Sequence, residues 1–296
     1  MSNKSKKSNI RKKKNRIKSI AFLAPSGLGV LTFFVVPFMV IIYYSLLDNP
    51  IKKNFVGIDN FVSLITNSAF QSAAFNTLIF SLIAVPSAVI LSLLLAMLLD
   101  CKLPFRSQLR TVFLSPLMVP VASVILVWQV MFDMNGALNQ VTSMFGATPI
   151  DWLDSDYNQL IVLTLFLWKN LGYNMILFMA GLGNIPSDLI EVARIEGAGS
   201  WKIFWKIKFR YLSPTLFFVA ILSLINSFKI FREVYLLTGG YPYGNIYYMQ
   251  HFMNNQFEKL DYQKLSTAAV IMSIVMVIII GILFLVENKF GKEVEE

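Results

Sequence analysis

The chain has 296 residues, of which 56% are hydrophobic and only 15% are charged. Soluble domains are about a quarter charged, so this composition excludes a disordered chain and argues against an ordinary soluble enzyme. The net charge of +9 is local, because residues 1–47 hold nine Lys or Arg and no acid. A basic segment directly before a long apolar run is typical of anchoring at an anionic membrane surface. The rest of the sequence has no basic stripe of the kind that would indicate nucleic-acid binding. With one Cys and one His, a disulfide framework and a His/Cys zinc site are also excluded.

Apolar runs dominate the chain and predict an all-α integral membrane protein. A helix needs about 20 mostly apolar residues to cross the hydrocarbon core. Helix is the expected state because lipid satisfies no backbone polar group. Six runs qualify: 20–47, 73–99, 111–132, 160–183, 212–237 and 265–286. We expect the prolines inside them to kink the helices, and we expect the first run to be a retained span, since it is too long for a signal peptide.

Lysine and arginine in the connecting segments predict the orientation. If the amino terminus is cytoplasmic, the inside segments hold 19 of these bases and the outside segments hold four. Both termini are therefore expected in the cytoplasm. The predicted organisation is a basic cytoplasmic tail at 1–19, a six-helix transmembrane domain at 20–286 and a second cytoplasmic tail at 287–296.

The cytoplasmic loop 184–211 is too polar to span a membrane and too periodic to be a slack linker. Asp188 followed by Glu191 predicts a capping-box start for a short helix over 188–196, which Gly197 is suited to end. Ser200 is expected to cap a second, interfacial helix that carries tryptophans and lysines. Two interpretations stay open at this point: a connector that only caps the helix bundle, or an element that inserts into a groove on another protein.

This loop resembles the conserved "EAA" loop of the permeases of binding-protein-dependent ABC sugar importers, the MalF/UgpA-like family. The matching pattern is Glu191-Val192-Ala193 with Gly197 four residues further on. Val192 and Arg210 depart from the family pattern, which more often has Ala and Pro there. Further segments that resemble the family, in order, are Phe22–Pro25, Phe55–Phe61, Arg110–Pro116, Ile150–Leu153, Gly181–Pro186 and Leu237–Gly240.

The resemblance implies a type I (MetI-like) ABC importer permease in the bacterial plasma membrane, transporting a sugar or oligosaccharide. It implies four kinds of partner: a second homologous permease, a cytoplasmic ATPase dimer, an extracytoplasmic sugar-binding protein, and membrane lipid. No cofactor is expected on this chain, and ATP with Mg²⁺ is expected on the ATPase. The implied contacts that couple the chain to the ATPase are Glu191, Ala193, Arg194, Glu196 and Gly197.

Polar residues inside the spans are costly and point to a solute pathway. Aromatic rings beside them, at Trp168, Tyr173 and Phe228, are suited to stack on a sugar. The alternative is that the polar groups bond neighbouring helices, or that Lys229 and Glu233 neutralise each other at i, i+4. The candidate pathway residues are Gln129, Asn170, Asn174, Asn226, Lys229 and Glu233.

Motifs for catalysis are lacking. No Walker A sequence occurs, so ATP hydrolysis is expected on a separate chain, and no catalytic or metal-binding residues are predicted. His251 and the acidic residues near Asp151 are interpreted as packing or surface groups. A permease for glycerol phosphate or another polar solute remains an alternative. An ion-coupled transporter or a membrane-embedded enzyme is disfavoured, because the spans hold one acid and the chain holds one His.

Overall fold

In the residues that the computed structural model describes, the regular structure is helical. The exception there is one isolated β-bridge between Leu47 and Phe55. The described residues are 18–19, 21–49, 51–101 and 104–295, with side chains described up to residue 287. Most of the predicted basic tail, residues 1–17, lies outside them. Six helical segments in the described part are long and apolar enough to cross a membrane, and two of them, Val121–Met144 and Ser200–Thr238, contain a short interruption. The other four are Ala21–Ser45, Ser68–Asp100, Asn158–Gly183 and Tyr262–Glu287.

The helices, numbered along the chain, have the following bounds. They are α1 (Ala21–Ser45), α2 (Asp59–Ile65), α3 (Ser68–Asp100), α4 (Arg106–Met118), α5 (Val121–Phe132), α6 (Ala137–Met144), α7 (Asn158–Gly183), α8 (Ser187–Ile195), α9 (Ser200–Ile203, a π-helical segment Phe204–Lys208, then Phe209–Phe228), α10 (Phe231–Thr238), α11 (Met249–Glu258) and α12 (Tyr262–Glu295). A 3₁₀ turn, Gly244–Ile246, precedes α11.

Proline explains two irregularities in these spans. Pro37 follows a π-helical segment, Leu31–Val35, in which the amide of Val36 donates to the carbonyl of Leu31 five residues back. Such a bulge relieves the clash between a proline ring and the preceding turn. At Pro120 the helix stops, since Val119 is extended with ψ of 132°, as residues before proline tend to be. The predicted third span at 111–132 is therefore wrong in its bounds, and the candidate span begins at Val121.

A second interruption divides the predicted span 212–237. It separates α9 from α10 at Lys229 and Ile230. The interfacial helix and the fifth span, which were expected to be separate, instead form one helix that continues through Arg210 to Phe228.

The chain divides into two compact units, one of residues 1–64 and 260–272 and the other of residues 65–259 and 273–296. In the first unit, the side-chain amide of Asn60 donates to the carbonyls of Ser45 (2.9 Å) and Leu47 (2.7 Å). These two bonds satisfy carbonyls that the end of α1 leaves without helical partners, and they fasten α1 to α2.

The second unit is built around α7, which packs against α3, α4 and α9. Its main apolar cluster joins residues of α3, α7 and α9, including the fully buried Phe178, Ala96 and Val219. Asn139 orders the loop after α5: its amide donates to Ile150 O (2.8 Å) and accepts from the indole of Trp152 (2.9 Å). These bonds from one side chain hold the two ends of the loop together.

Gly172 permits the closest backbone approach between helices in this unit. A Cβ atom placed at Gly172 would lie 1.8 Å from the carbonyl oxygen of Phe113 on α4. Small residues allow such approaches in membrane helices, where packing has to replace the hydrophobic effect as the source of association. The backbone of α7 therefore contacts that of α4 at this position.

We predict that Gly172→Ala lowers the thermal stability of the purified protein in detergent, because the added methyl overlaps backbone that cannot move aside. Overpacking of this kind costs about 1–3 kcal/mol. Gly183→Ala is the matched control on the same helix, where a Cβ would meet nothing within 4 Å. The control should be unchanged or slightly stabilised, by up to about 1 kcal/mol. Equal melting temperatures for the two variants would contradict the close approach.

Candidate functional site

A polar cavity of about 480 Å³ opens where α7 faces the interruption between α9 and α10. Its wall combines charged, amide and apolar side chains from several helices. The lining residues are Leu117, Phe166, Lys169, Asn170, Asn226, Lys229, Ile230, Arg232, Glu233 and Gln250. Four of the six predicted pathway residues are among them: Asn170, Asn226, Lys229 and Glu233.

The charges in the cavity centre on one carboxylate. The ammonium of Lys169 donates to Oε1 of Glu233, and Nη2 of Arg232 lies 3.9 Å from the same oxygen. The Glu233 side chain is only 5% exposed, and a charge so buried is tolerated when it is paired. The alternative in which Lys229 neutralises Glu233 is not what the structure shows, because Glu233 pairs with Lys169 of α7.

Two asparagines on facing helices bond to each other in the wall. Nδ2 of Asn226 donates to Oδ1 of Asn170 (2.8 Å), whose own Nδ2 donates to the carbonyl of Phe166 (2.8 Å). The second bond fixes the orientation of the Asn170 amide, so its oxygen points toward α9. The pair therefore links the two spans and also presents amide groups to the cavity.

Two predicted pathway residues lie elsewhere. Asn174 is buried and donates to Oγ of Ser223 (2.9 Å), which joins α7 to α9 outside the cavity lining. Gln129 donates to the carbonyls of Leu236 (3.1 Å) and Leu237 (3.2 Å), which joins α5 to the end of α10. Both contacts are of the helix-to-helix kind that the sequence left open as an alternative.

The aromatic wall of the cavity is also not the predicted one. Trp168, Tyr173 and Phe228 are absent from its lining, and Phe166, which is in it, is fully buried and packs edge-on against Phe80, so its ring face is closed to a solute. Phe166 could have been found from its spacing, since it precedes Asn170 by one helical turn. No local signal in the sequence indicates Gln250, because it reaches the cavity from the separate helix α11.

His251 is the buried anchor of α11, which carries Gln250. Its Nδ1 accepts from the amide of Tyr248 (3.2 Å), and its ring packs edge-on against Phe231, the first residue of α10, with centroids 4.7 Å apart. Burial lowers the pKa of His251 from 6.5 to about 4, because the charged imidazolium loses its hydration. His251 is thus a neutral packing group, as expected.

We predict a stability difference with pH that depends on His251. The pKa of His251 is lower in the folded than in the unfolded protein. Its contribution to the free energy of unfolding is therefore complete above about pH 6.5 and is lost as the pH falls toward 4. The melting temperature of the wild type should therefore fall more steeply over this range than that of His251→Gln, measured in the same detergent. Parallel pH profiles would show that the imidazole is not buried in its neutral form.

The short helix α8 is the second notable feature, because none of its residues is buried. Its apolar residues Leu189, Val192 and Ile195 are 41%, 53% and 86% exposed. Ile190 on another face packs against the apolar cluster of α3, α7 and α9. The helix is therefore attached along one side and leaves an exposed apolar stripe along another.

The start of α8 differs from the prediction. It begins at Ser187, after the extended Pro186, and no side chain caps it, so the predicted capping box of Asp188 and Glu191 is wrong. Ser200 is likewise not a cap, since the extended Gly199 precedes α9 and Ser200 is its first helical residue. Proline and glycine supply the extended backbone that precedes the two helices.

The end of α8 follows the prediction. Gly197 has a φ of +80°, the amide of Gly197 donates to Arg194 O (3.0 Å), and the amide of Ala198 donates to Ala193 O (2.9 Å). This is a Schellman motif, in which a left-handed residue closes the helix. Of the predicted coupling residues, Glu191, Arg194 and Glu196 are exposed, Ala193 is half-buried, and Gly197 fixes the turn.

Six apolar spans in the described part of the chain, with a polar cavity in the second unit, are the features of a membrane-embedded permease. The chain belongs to the family described as binding-protein-dependent transport system inner membrane components, whose model matches residues 60–290. It is 30% identical to the trehalose/maltose transport system permease protein MalF of Thermococcus litoralis, over 89% of this chain and 91% of the relative. It is also 30% identical to the arabinooligosaccharides transport system permease protein AraP of Bacillus subtilis, over 91% and 87% of the two chains.

The fold is also that of a solved structure. A chain of a bacterial ABC transporter involved in the import of the acidic polysaccharide alginate superposes with a TM-score of 0.80 at 19% identity, covering 95% of this chain and 99% of that one. The predicted all-α, six-span permease fold of the ABC-importer type is thereby confirmed, as is a multi-pass location in the bacterial plasma membrane. The orientation of the termini stays a prediction.

Proposed function

We propose that this chain is the permease subunit through which an ATP-driven importer moves a sugar or oligosaccharide delivered by an extracytoplasmic binding protein. The family description and two relatives named for sugar transport, at 30% identity over most of their length, carry this proposal. The cavity supports it, because its amides can bond sugar hydroxyls.

We propose α8 as the coupling helix that contacts the ATPase. An exposed apolar stripe flanked by Glu191, Arg194 and Glu196 is the surface that a helix presents to a groove. The lysines and arginines in loop 184–211 support placing this helix in the cytoplasm, together with both termini. ATP and Mg²⁺ then bind the partner ATPase dimer, and this chain contributes no catalytic residue.

A second permease of the same fold completes the proposed membrane assembly. The exposed apolar surface of α1, which includes Phe22, Phe33 and Phe34, supports contact with another helix bundle or with lipid. In the proposed cycle, closure of the ATPase dimer moves α8, and Ile190 transmits the motion to the cluster of α3, α7 and α9. The bundle thereby switches between inward-open and outward-open states, which is a shift between two conformations driven by binding energy.

The proposal can be tested by measuring sugar uptake into vesicles. The vesicles contain the complete importer, with its ATPase, second permease and binding protein. The same assay is then repeated with a variant at Gly197. We expect uptake to require ATP. Gly197→Val should uncouple ATP hydrolysis from uptake, because a β-branched residue cannot hold a φ of +80° and the end of α8 is displaced.

Gly199→Val is the matched control, two residues further on. Gly199 has φ of −70° and ψ of 161°, which any residue adopts, and its position is open. The control should keep coupled transport. Normal uptake and normal substrate-stimulated ATPase activity in the Gly197 variant would argue against α8 as the coupling element, and uptake without ATP would refute the proposed function.

A second prediction concerns the cavity. Asn226→Ala removes an amide from the cavity wall. It should reduce the rate of sugar uptake by about tenfold, because one or two hydrogen bonds to the sugar are lost and their free energy corresponds to that factor. Asn174→Ala, which loses the bond to Ser223 away from the cavity, should keep most of the rate once expression is matched. If the two variants were impaired equally, the cavity would not be the solute pathway.

A further inference from the structure

The cavity carries more positive than negative charge. Lys169, Lys229 and Arg232 line it together with one carboxylate, that of Glu233, in the part of the chain that the structure describes. Lys169 donates to Glu233, so this pair is neutral. Two basic side chains remain.

These two bases are poorly compensated. Arg232 approaches Glu233 only at 3.9 Å, and its side chain is 66% exposed. For Lys229, no carboxylate among the described residues lies within ion-pair distance. An uncompensated charge at membrane depth is costly, so such residues commonly bind an ion or a charged solute group.

The backbone adds to this potential. The span is interrupted at Lys229 and Ile230, and the eight-residue helix α10 begins at Phe231, beside the cavity wall. The first turn of a helix is its positive end, and its dipole adds to the potential here. The amides of Arg232 and Glu233 already donate to Lys229 O (3.4 Å) and Ile230 O (3.1 Å), so the side chains, not these amides, would bind an anion. Lys229 and Arg232 flank this end of α10.

The rest of the wall suits a polyol. Asn170, Asn226 and Gln250 offer amides. A volume of about 480 Å³ lies within the usual range of small-molecule pockets. Charge and amide groups thus occur together in one cavity.

We infer that the permease takes an acidic sugar, with Lys229 and Arg232 binding its oxyanion, a carboxylate or a phosphate, while the amides bind its hydroxyls. This substrate class rests on the proposed function, because it assumes that the cavity is the solute pathway. An acidic residue of the second permease is the competing partner for Lys229, and the experiment separates the two.

The experiment measures binding to the complete importer in lipid nanodiscs, without the binding protein, by calorimetry. Four probes form two matched pairs: trigalacturonate with galactotriose, and glucose 6-phosphate with glucose. The charged member of at least one pair should bind about tenfold more tightly than its neutral counterpart, the value of one charge-assisted hydrogen bond. The pair that shows this preference identifies the anion as carboxylate or phosphate.

Variants then assign the preference to the two bases. Lys229→Gln and Arg232→Gln should each remove most of the preference for the charged probe, and Lys229→Arg should retain it. Lys202→Gln, which removes a base from the exposed start of α9, is the control and should leave all four affinities unchanged.

Three results would overturn the inference. They are equal affinity within both pairs, a preference that survives both glutamine variants, and loss of the second permease from the complex in Lys229→Gln. Uptake of the neutral probes by the unaltered importer, with equal affinity within both pairs, would reject the acidic substrate while leaving the proposed function intact. ATP-independent uptake would instead reject the proposed function.

Discussion

The ion pair between Lys169 and Glu233 is the interaction on which the arrangement of the cavity depends. A carboxylate that is only 5% exposed has to be neutralised, since desolvation of an unpaired charge costs several kcal/mol. The pair joins Lys169 of α7 to Glu233 of α10, just after the interruption between α9 and α10 at Lys229 and Ile230. It joins span four to the second half of span five, and it leaves Lys229 facing the cavity without that carboxylate. The broken helix, the buried pair and the charged cavity are thus parts of one arrangement.

Around this pair, the second unit is held together by close packing and short polar contacts rather than by apolar area alone. Gly172 admits the backbone of α4, and a Cβ at Gly181 would lie 2.7 Å from Oγ1 of Thr215 on α9. The hydroxyls of Ser81 and Ser227 bond at 2.9 Å between α3 and α9. In lipid, burying an apolar side chain against another helix gains little, so such contacts decide which helices are neighbours.

The short helix α8 follows a different principle. Its ends are fixed by backbone conformation, with an extended Pro186 before it and a left-handed Gly197 after it. Its sides are exposed except where Ile190 meets the main cluster. An element with fixed ends and an unburied apolar stripe keeps its shape without a partner and so can bind one without the entropy cost of ordering.

The sequence determined the class of this protein. The membrane spans, the expected orientation and the turn after α8 could all be predicted from short stretches of sequence. A span depends on the length of one apolar run, the orientation on the lysines and arginines of the loops, and the left-handed turn on one glycine. The sequence also selected Asn170, Asn226, Lys229 and Glu233, since polar residues within a span are rare. It could not say which polar groups face the cavity and which join helices.

Only the tertiary structure decided those assignments. In the structure, Asn174 donates to Ser223 and Gln129 donates to carbonyls at the end of α10. The cavity lining also includes Phe166 and Gln250. Glu233 forms its ion pair with Lys169 rather than with Lys229. The reason is that helical periodicity assumes an unbroken helix, whereas the helices are interrupted at Pro120 and at Lys229 and Ile230, so residues on either side of a break need not share one face. The partner of a buried polar group is set by which helices pack together, and that is a property of the whole fold.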